Sequence, residues 1–342
     1  MLKNKKFCME DLAARVDRAR GNKVLLIGDV MLDEYLEGDA ERISPEAPIP
    51  VVRIAQSRML LGGAGNVARN IATLGGEAHL VSIRGEDAHG DIVQALLAEG
   101  AIETTFLRLR TRPTTVKTRI IARHQQMLRI DHEETSPLSG EETDALLGAV
   151  AKRIDDYAVV VVSDYGKGVV SEKLMRGLFT LRNQSPSRPR ILVDPKTPNY
   201  AFYKKAFIMT PNLKETGEAS RLPVGADAEI LAAGRHILQS FGVEHLLITL
   251  GEKGMALFVS AEEVWHLPTV ARKVFDVTGA GDTVMAALAL CLASGLDLLE
   301  GCVLSNFAAG IVVGELGAAT VTREDLRDAL LRCEDAVCSR WV

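Results

Sequence analysis

The chain contains the stretch Asp276-Val277-Thr278-Gly279-Ala280-Gly281-Asp282-Thr283, which leads directly into an apolar segment that ends at Leu292. Glycines at a helix start let unpaired backbone N–H groups converge on an anion, and the helix dipole adds favourable partial charge there. A carboxylate in the first turn, Asp282, would lie within reach of a phosphoryl group and of an incoming hydroxyl. The stretch predicts a phosphate cradle with Asp282 as catalytic base. The alternative is a glycine-rich turn with Asp282 as an ordinary acid at a helix N-terminus.

Short apolar or β-branched runs alternate with helical patterns through the rest of the chain. This alternation favours an α/β fold, with a parallel sheet covered by helices on both faces. No internal repeat or low-complexity linker interrupts it, so we expect a single domain over 22–342. The predicted strands are 24–27, 79–83, 158–162, 190–193, 206–209 and 245–250, and the predicted C-terminal helices are 280–292, 296–314 and 322–332.

Two segments, 33–58 and 104–132, break this rhythm. They contain extended, β-prone stretches with several prolines and no convincing amphipathic helix. We expect them to form a small antiparallel subdomain beside the main sheet, where it could close over a ligand as a lid. The alternative is an edge extension that serves only dimer contacts.

Composition excludes several classes of function. The formal net charge is −5, the pI is about 5.9 and 5% of the residues are aromatic, so nucleic acid is a poor candidate partner. The longest apolar run is only about half the roughly 20 residues that span a bilayer. Acidic residues follow the N-terminal lysines where an export signal would need an apolar core. We therefore expect a cytoplasmic protein without a membrane partner.

The five cysteines give no sign of a metal site. They are odd in number and lack C-x-x-C spacing, and no histidine cluster accompanies them. Neither a disulfide framework nor a zinc site is indicated, and structural thiols in a reducing compartment are expected.

A second glycine-rich turn, Gly62 to Asn70, opens a predicted helix. Gly63, Gly65 and Ala68 match the dinucleotide fingerprint G-x-G-x-x-A, with an acidic residue about 20 positions further on. That fingerprint belongs in the first strand-to-helix turn, whereas the first predicted strand here ends without such a loop. A nicotinamide dehydrogenase is therefore disfavoured. Close backbone approach with Asn66 as hydrogen-bond partner suits a sugar.

The two turns together resemble the signatures of the ribokinase-like (PfkB) carbohydrate kinases. The glycine-glycine-x-x-asparagine turn is Gly62 to Asn66, and the D-x-x-G-A-G-D segment is Asp276 to Asp282, about 210 residues later. The resemblance extends from about Val24 to Leu330. It implies a central, mostly parallel sheet flanked by helices, with a small β-sheet lid. It also implies a kinase that uses ATP and Mg²⁺, with K⁺ as a further candidate.

The resemblance implies roles for particular residues on the nucleotide side. The amides of Gly279, Ala280 and Gly281 would act with Asp282 in catalysis. Glu215 is expected to help place magnesium indirectly, and Asp276 is a candidate for a monovalent ion. The expected nucleotide-binding residues are Asn212, Lys214, Glu215, Thr249, Gly251, Gly254 and Asn306.

On the sugar side, further stretches are similar to the branch of the family that acts on D-glycero-β-D-manno-heptose 7-phosphate. They are Gly28 to Asp33, Arg42 to Pro48, Lys117 to Arg119 with Gln125-Gln126, and Asp164 to Gly168. The resemblance implies phosphorylation at the anomeric O1 to give the 1,7-bisphosphate, in the synthesis of ADP-heptose for lipopolysaccharide. The expected substrate-binding residues are Asp29, Asp33, Gly62, Gly63 and Asn66, and the candidate cations for the substrate phosphate are Arg84, Lys117, Arg119 and Lys167.

Two alternative functions stay open at the level of sequence, and two further expectations concern partners. A kinase for another sugar or a nucleoside would keep the same base, and a non-catalytic sugar-binding regulator would have lost the base or the cradle. Bifunctional relatives carry a nucleotidyltransferase domain with an H-x-G-H motif, which is not found here, so we expect adenylyl transfer from another protein. The lids of related enzymes often pair, and a homodimer through the lid is expected.

Overall fold

The computed structural model of the chain describes residues 4–123, 125–271, 274–315, 319–333 and 335–342. The strands are β1 (Asn4–Phe7), β2 (Lys23–Gly28), β3 (Val30–Ile43), β4 (Pro50–Gly63), β5 (Glu77–Gly85), β6 (Glu103–Leu109), β7 (Val116–Ala122), β8 (Gln125–His132), β9 (Val159–Ser163), β10 (Arg190–Asp194), β11 (Ile208–Met209), β12 (His245–Thr249), β13 (Met255–Phe258), β14 (Val264–Leu267) and β15 (Ala336–Arg340). The helices are α1 (Met9–Val16), α2 (Ala64–Thr73), α3 (Ala88–Glu99), α4 (Gly140–Ala151), α5 (Glu172–Gln184), α6 (Leu213–Ser220), α7 (Asp227–Phe241), α8 (Ala280–Ala293), α9 (Leu298–Val312) and α10 (Arg323–Leu331).

The main sheet has eleven strands in the order β1-β15-β14-β13-β12-β11-β10-β9-β2-β5-β6. Its strands from β12 to β6 in this order pair in parallel, and the remainder pair antiparallel. Side chains on β2 alternate between the two apolar layers: Val24 and Leu26 face one, and Leu25 and Ile27 face the other. The predicted α/β fold with helices on both faces is confirmed, because each layer is covered by its own set of helices.

The second sheet is the lid, in the order β4-β3-β7-β8. Its hairpins β3-β4 and β7-β8 are antiparallel as predicted, but β3 pairs with β7 in parallel. The register places Val30 beside Gly63, Leu32 beside Val116, and Val116 beside His132. All four strands therefore join the body at the same end of the lid, which makes the β3-β7 pairing parallel.

The predicted lid segment 104–132 is wrong at its start. β6, which begins at Glu103, pairs with β5 as the outermost strand of the main sheet. It follows β5 through α3, the ordinary crossover between parallel strands. An extended pattern alone does not reveal which sheet a strand joins, and the second segment of the lid begins only at Val116.

The N-terminal strand β1 and helix α1 were not predicted. β1 pairs with β15 at the edge of the main sheet, and α1 packs against α10 through buried side chains such as Met9 and Leu12. A helix of 8 residues is too short for a reliable periodic signal. No helix within the described ranges combines the length and the apolar character that a membrane span requires.

Candidate active site

The predicted cradle lies at the start of α8. Gly279 precedes the helix with φ 80°, a left-handed conformation that glycine adopts without strain, and no side chain caps the helix start. A Cβ atom on Gly281 would meet nothing within 4 Å, so the backbone opens to a cavity there. The first turn of α8 is thus free to receive an anion, as the sequence predicted.

Asp282 lies in this first turn and is 5% exposed. Asn66 Nδ2 donates to its Oδ2 over 2.6 Å, and the Tyr165 hydroxyl donates to its Oδ1. Burial raises the pKa of the Asp282 carboxyl to about 6; the hydrogen bonds from Tyr165 and Asn66 lower the pKa, and the charge of Asp33 raises it. A carboxylate with a pKa near the working pH is well suited to general-base chemistry.

The glycine-rich turn brings Asn66 to this base. A Cβ on Gly62 would lie 2.3 Å from an oxygen of Asp33, and one on Gly63 would lie 2.4 Å from the Asp29 carbonyl oxygen. Only glycine permits this approach, and Gly63 also has φ 56°. The turn therefore packs directly beneath Asp33 before α2 begins. The two predicted signature segments meet in space through the Asn66–Asp282 hydrogen bond.

Asp33 lies near the start of β3 and is 6% exposed. Arg119 on the neighbouring β7 donates a hydrogen bond to Asp33 Oδ1. The parallel register explains this contact, because it pairs Asp33 with Lys117 and Tyr35 with Arg119. Two of the predicted substrate-binding residues, Asp33 and Arg119, are thus paired with each other.

Asp29, a predicted substrate-binding residue, is engaged by the backbone of a neighbouring loop. Its Oδ2 accepts the backbone N–H groups of Tyr165 and Lys167 over 2.9 and 3.0 Å, and its Oδ1 accepts that of Val169 over 3.1 Å. Burial raises its pKa to about 6 together with the charge of Asp164, against the effect of the three hydrogen bonds. Its carboxylate holds the 165–169 loop, and so places the Tyr165 side chain on the base.

The nucleotide-side residues line one cavity of about 630 Å³ beside the start of α8. Ala280 and Gly281 form part of its wall. The cavity brings together all the residues that the resemblance implied for nucleotide binding: Asn212, Lys214, Glu215, Thr249, Gly251, Gly254 and Asn306.

Asn212 and Glu215 form a reciprocal capping box at the start of α6. Asn212 Oδ1 accepts the Glu215 backbone N–H over 2.9 Å, and the Glu215 carboxylate accepts the Asn212 N–H over 3.1 Å. This arrangement stabilises the helix whatever else the residues do. Asn306 is similarly engaged, since its Nδ2 donates to the Pro268 carbonyl over 2.7 Å at the cavity wall.

Sequence reasoning missed Asp194 and Lys196 in the same cavity. Lys196 Nζ lies 3.6 Å from Glu215 Oε1. Burial and the charges of Asp282, Glu215 and Asp164 raise the pKa of Asp194 well above its ordinary value. Asp194 ends β10 at the carboxyl edge of the parallel sheet, where ligands of open α/β sheets bind, and that position could have identified it.

Tyr165 was missed as well, although its segment was quoted for its resemblance. Its neighbour Asp164 accepts hydrogen bonds from Asn199 over 2.7 Å and from Tyr203 over 2.6 Å, which anchors the same loop. Asp276, the candidate for a monovalent ion, lies in the turn before α8 and accepts the Thr278 N–H over 2.9 Å. Within the described ranges no group of three or more His, Cys, Asp or Glu residues is arranged to hold a metal ion by itself.

The four candidate cations fall into two groups. Arg84 donates to Asp91 Oδ1 over 3.0 Å, and Arg119 donates to Asp33. Lys117 and Lys167, in contrast, both contact the carboxylate of Glu133. The structure therefore brings only these two lysines together on one anion.

Known proteins similar to this chain cover most of its length. Residues 22–325 match the pfkB family carbohydrate kinases. The Bifunctional protein HldE of Rhodospirillum rubrum is 44% identical over 323 residues, which make up 94% of this chain and 64% of that protein. The chain thus spans slightly less than two thirds of this relative.

Solved structures agree on the fold. Arabidopsis thaliana ribokinase, complexed with ribose and ATP, has a TM-score of 0.73 at 20% identity and covers 91% of this chain and 99% of its own. Phosphofructokinase-2 from Escherichia coli, in complex with potassium, has a TM-score of 0.77 at 21% identity and covers 92% and 98%. The fold is ribokinase-like. The family match includes both signature segments, and the chain is a carbohydrate kinase of the pfkB family.

Proposed function

We infer that this kinase transfers the γ-phosphoryl group of ATP to the anomeric O1 of D-glycero-β-D-manno-heptose 7-phosphate, giving the 1,7-bisphosphate for ADP-heptose and lipopolysaccharide core synthesis in the cytoplasm. The observation that carries the proposal is the position of Asp282, buried between the nucleotide-side cavity and the sugar-side residues Asn66 and Asp33. The stretches similar to the heptose branch and the identity to HldE support this acceptor over other sugars.

In the proposed mechanism Asp282 accepts the proton of the sugar hydroxyl as the sugar oxygen attacks the γ-phosphorus of ATP; the bond from that phosphorus to the β,γ-bridging oxygen breaks, and ADP leaves. Above a pH of about 6 the carboxylate is deprotonated and can do so. Asn66 and Tyr165 fix its orientation through their hydrogen bonds. The backbone amides from Gly279 to Gly281 stabilise the charge that develops on the transferred group, and Asp33 holds the sugar.

Magnesium is the expected divalent cofactor of ATP in this mechanism. The cavity suits it, because the carboxylates of Asp194 and Glu215 both line it and carboxylate oxygens are ligands that magnesium prefers. These two residues would hold the ion, with Lys196 beside them. When bound, magnesium would neutralise phosphate charge. Asp276 remains our candidate for a bound K⁺ ion.

The acceptor phosphate would be recognised by Lys117 and Lys167. These lysines come from the lid and from the loop that carries Tyr165, so a ligand between them contacts both parts of the molecule. Arg84 and Arg119 are less suited, since they pair with two separate carboxylates, Asp91 and Asp33, whereas the two lysines meet on one.

We also propose a homodimer through the lid. Several large apolar side chains of the lid are 42–63% exposed, which suits burial against a second copy. They are Ile43, Ile49, Ile54, Met127, Leu128 and Ile130. The proposed kinase unit is the predicted domain 22–342, enlarged by β1 and α1, which pack into it.

The test is ADP release with a panel of acceptors. We expect heptose 7-phosphate to give the highest kcat/KM, with fructose 6-phosphate, ribose and adenosine well below it. A higher value for any of these would replace the heptose with that acceptor. No turnover with any acceptor would favour a sugar-binding regulator, although the base and the cradle are intact. Light scattering at the assay concentration tests the dimer, and a monomer would contradict it.

A further inference from the structure

Glu133 forms an unusual bridge at the junction between lid and body. It follows β8, and its Oε1 accepts from Lys167 Nζ over 2.7 Å while its Oε2 lies 3.3 Å from Lys117 Nζ. Each carboxylate oxygen thus contacts a different lysine. The side chains are 21% exposed for Glu133 and 14 and 15% for the lysines, so a solute can reach them.

The backbone on either side of this bridge is fixed. The Arg112 side chain donates to the carbonyl oxygens of Lys167 over 2.8 Å and Glu134 over 3.1 Å, and also to that of Ser136. A Cβ on Gly168 would lie 2.1 Å from the Ser136 carbonyl oxygen, so the two segments are in close contact. The backbone segments that carry Lys167 and Glu133 are therefore held next to each other. A rotation of the Glu133 side chain is enough to break its contact with Lys167.

The bridge is charged under ordinary conditions. Burial raises the pKa of Glu133, but the hydrogen bond from Lys167 and the charge of Lys117 outweigh it and hold the pKa below its usual value. Lys117 also contacts Asp131 over 3.1 Å. If the Glu133 carboxylate leaves the bridge, Lys117 keeps Asp131 as a partner while Lys167 loses the carboxylate it contacts, which leaves positive charge at the pair.

We propose that Glu133 is a displaceable internal anion, which occupies the Lys117–Lys167 pair until the phosphate group of a phosphorylated sugar takes its place. A phosphate has more charge than a carboxylate and presents enough oxygens to contact both ammonium groups. A sugar without phosphate has nothing with which to displace Glu133. This inference rests on the proposed function for the identity of the sugar, and it makes Glu133 a determinant of specificity for phosphorylated acceptors.

The direct test measures binding of inorganic phosphate by calorimetry, which requires no turnover. We expect Glu133→Gln to bind phosphate roughly three- to tenfold more tightly than the unmodified protein, the factor that one or two partly screened ion pairs are worth. Glu134→Gln is the matched control and should leave binding nearly unchanged, because the Glu134 carboxylate accepts the Ser136 N–H of its own loop and is not the carboxylate that the two lysines contact. Lys117→Met and Lys167→Met should each weaken binding.

Unchanged or weaker phosphate binding by Glu133→Gln overturns the proposal, as does the absence of binding to both proteins. Thermal unfolding of each variant identifies any change that comes from misfolding instead.

Kinetics provides the second arm. With heptose 7-phosphate, Glu133→Gln should lower KM by the same factor and leave kcat unchanged, whereas KM for an unphosphorylated sugar should not fall. If the unmodified protein turns over no heptose 7-phosphate while the calorimetric result holds, the proposed substrate is wrong and the displacement of Glu133 stands. If turnover is normal but KM does not fall, the displacement is wrong and the substrate stands.

Discussion

Asp282 and Glu133 are both carboxylates beside the proposed sugar site, yet their surroundings differ. Asp282 is buried at the start of α8, and burial raises its pKa to about 6 although the hydrogen bonds from two neutral donors, Tyr165 and Asn66, lower it. Glu133 lies at the lid junction between two lysines, which hold its pKa low. A carboxylate that must take up a proton is kept away from cations. A carboxylate that competes with a phosphate, as we propose for Glu133, must instead lie in contact with cations.

The largest effect should come from removal of the base. Asp282→Asn preserves the shape of the side chain but has no basic oxygen, so kcat should fall roughly 10²-fold or more. ATP binding, measured by calorimetry, should be retained. The measurement is the initial rate of ADP release with saturating acceptor.

The matched control for this variant is Asp297→Asn. Asp297 caps the start of α9, and asparagine caps a helix about as well as aspartate. The control should keep its rate. Near-normal turnover in Asp282→Asn would contradict the assignment of the base.

A smaller effect is expected from Tyr165→Phe, which removes one neutral donor from Asp282. The bond lowers the pKa of the base, so its loss should move the acidic limb of the kcat/KM profile from about pH 6 to higher pH. Hydrogen bonds to charged groups are worth about 1.5–3 kcal/mol, so the shift should be about one to two units, with roughly a two- to tenfold loss at pH 7. Much of the activity should return at pH 9.

The Tyr165→Phe profile separates two roles for the tyrosine. A uniform loss of activity at every pH, without movement of the limb, would indicate that Tyr165 only packs in the site. Movement of the acidic limb to lower pH would contradict the prediction that the Tyr165 hydrogen bond lowers the pKa of Asp282.

The smallest effect concerns stability. The folded-state pKa of Asp282 lies above its ordinary value of 3.8, so between about pH 4 and pH 6 the folded state binds more protons than the unfolded state. The burial of this group therefore costs stability as pH rises through that window. Relative to the unmodified protein, Asp282→Asn should gain roughly 1–3 kcal/mol of unfolding free energy between pH 4 and pH 7. Denaturant unfolding at both pH values measures this difference, and a relative loss would contradict it.

Local patterns were sufficient to predict the frame of the molecule and the centre of its site. The alternation of strands and helices predicted the α/β fold, and the two glycine turns predicted the elements around Asn66 and Asp282. The turns were predictable because glycine is favoured where the backbone takes a positive φ or approaches another segment closely. The catalytic role of Asp282 stays a prediction, because an acid at a helix start can also be purely structural.

Contacts between distant segments were not predictable in the same way. The parallel pairing of β3 with β7 depends on where both strands leave the body, and neither strand encodes that direction. The role of Tyr165 depends on Asp29, which is 136 residues away and holds the tyrosine backbone. The prediction that Asp29 binds the sugar did not include the three backbone N–H groups that its carboxylate accepts, because no pattern in the sequence links Asp29 to that loop.

The common attachment of the lid strands has a mechanical consequence. Asp33 lies about 10 Å from the end where β3 meets the body, and Ile43 lies about 43 Å along the same strand, at roughly 3.3 Å per residue. If the lid sheet rotates about the end where it joins the body, residues at the hairpin tip move much farther than Asp33, which lies beside the proposed sugar site. If the sheet turns as a unit, a fluorescent label on the hairpin tip would report a displacement at Asp33 with about fourfold amplification.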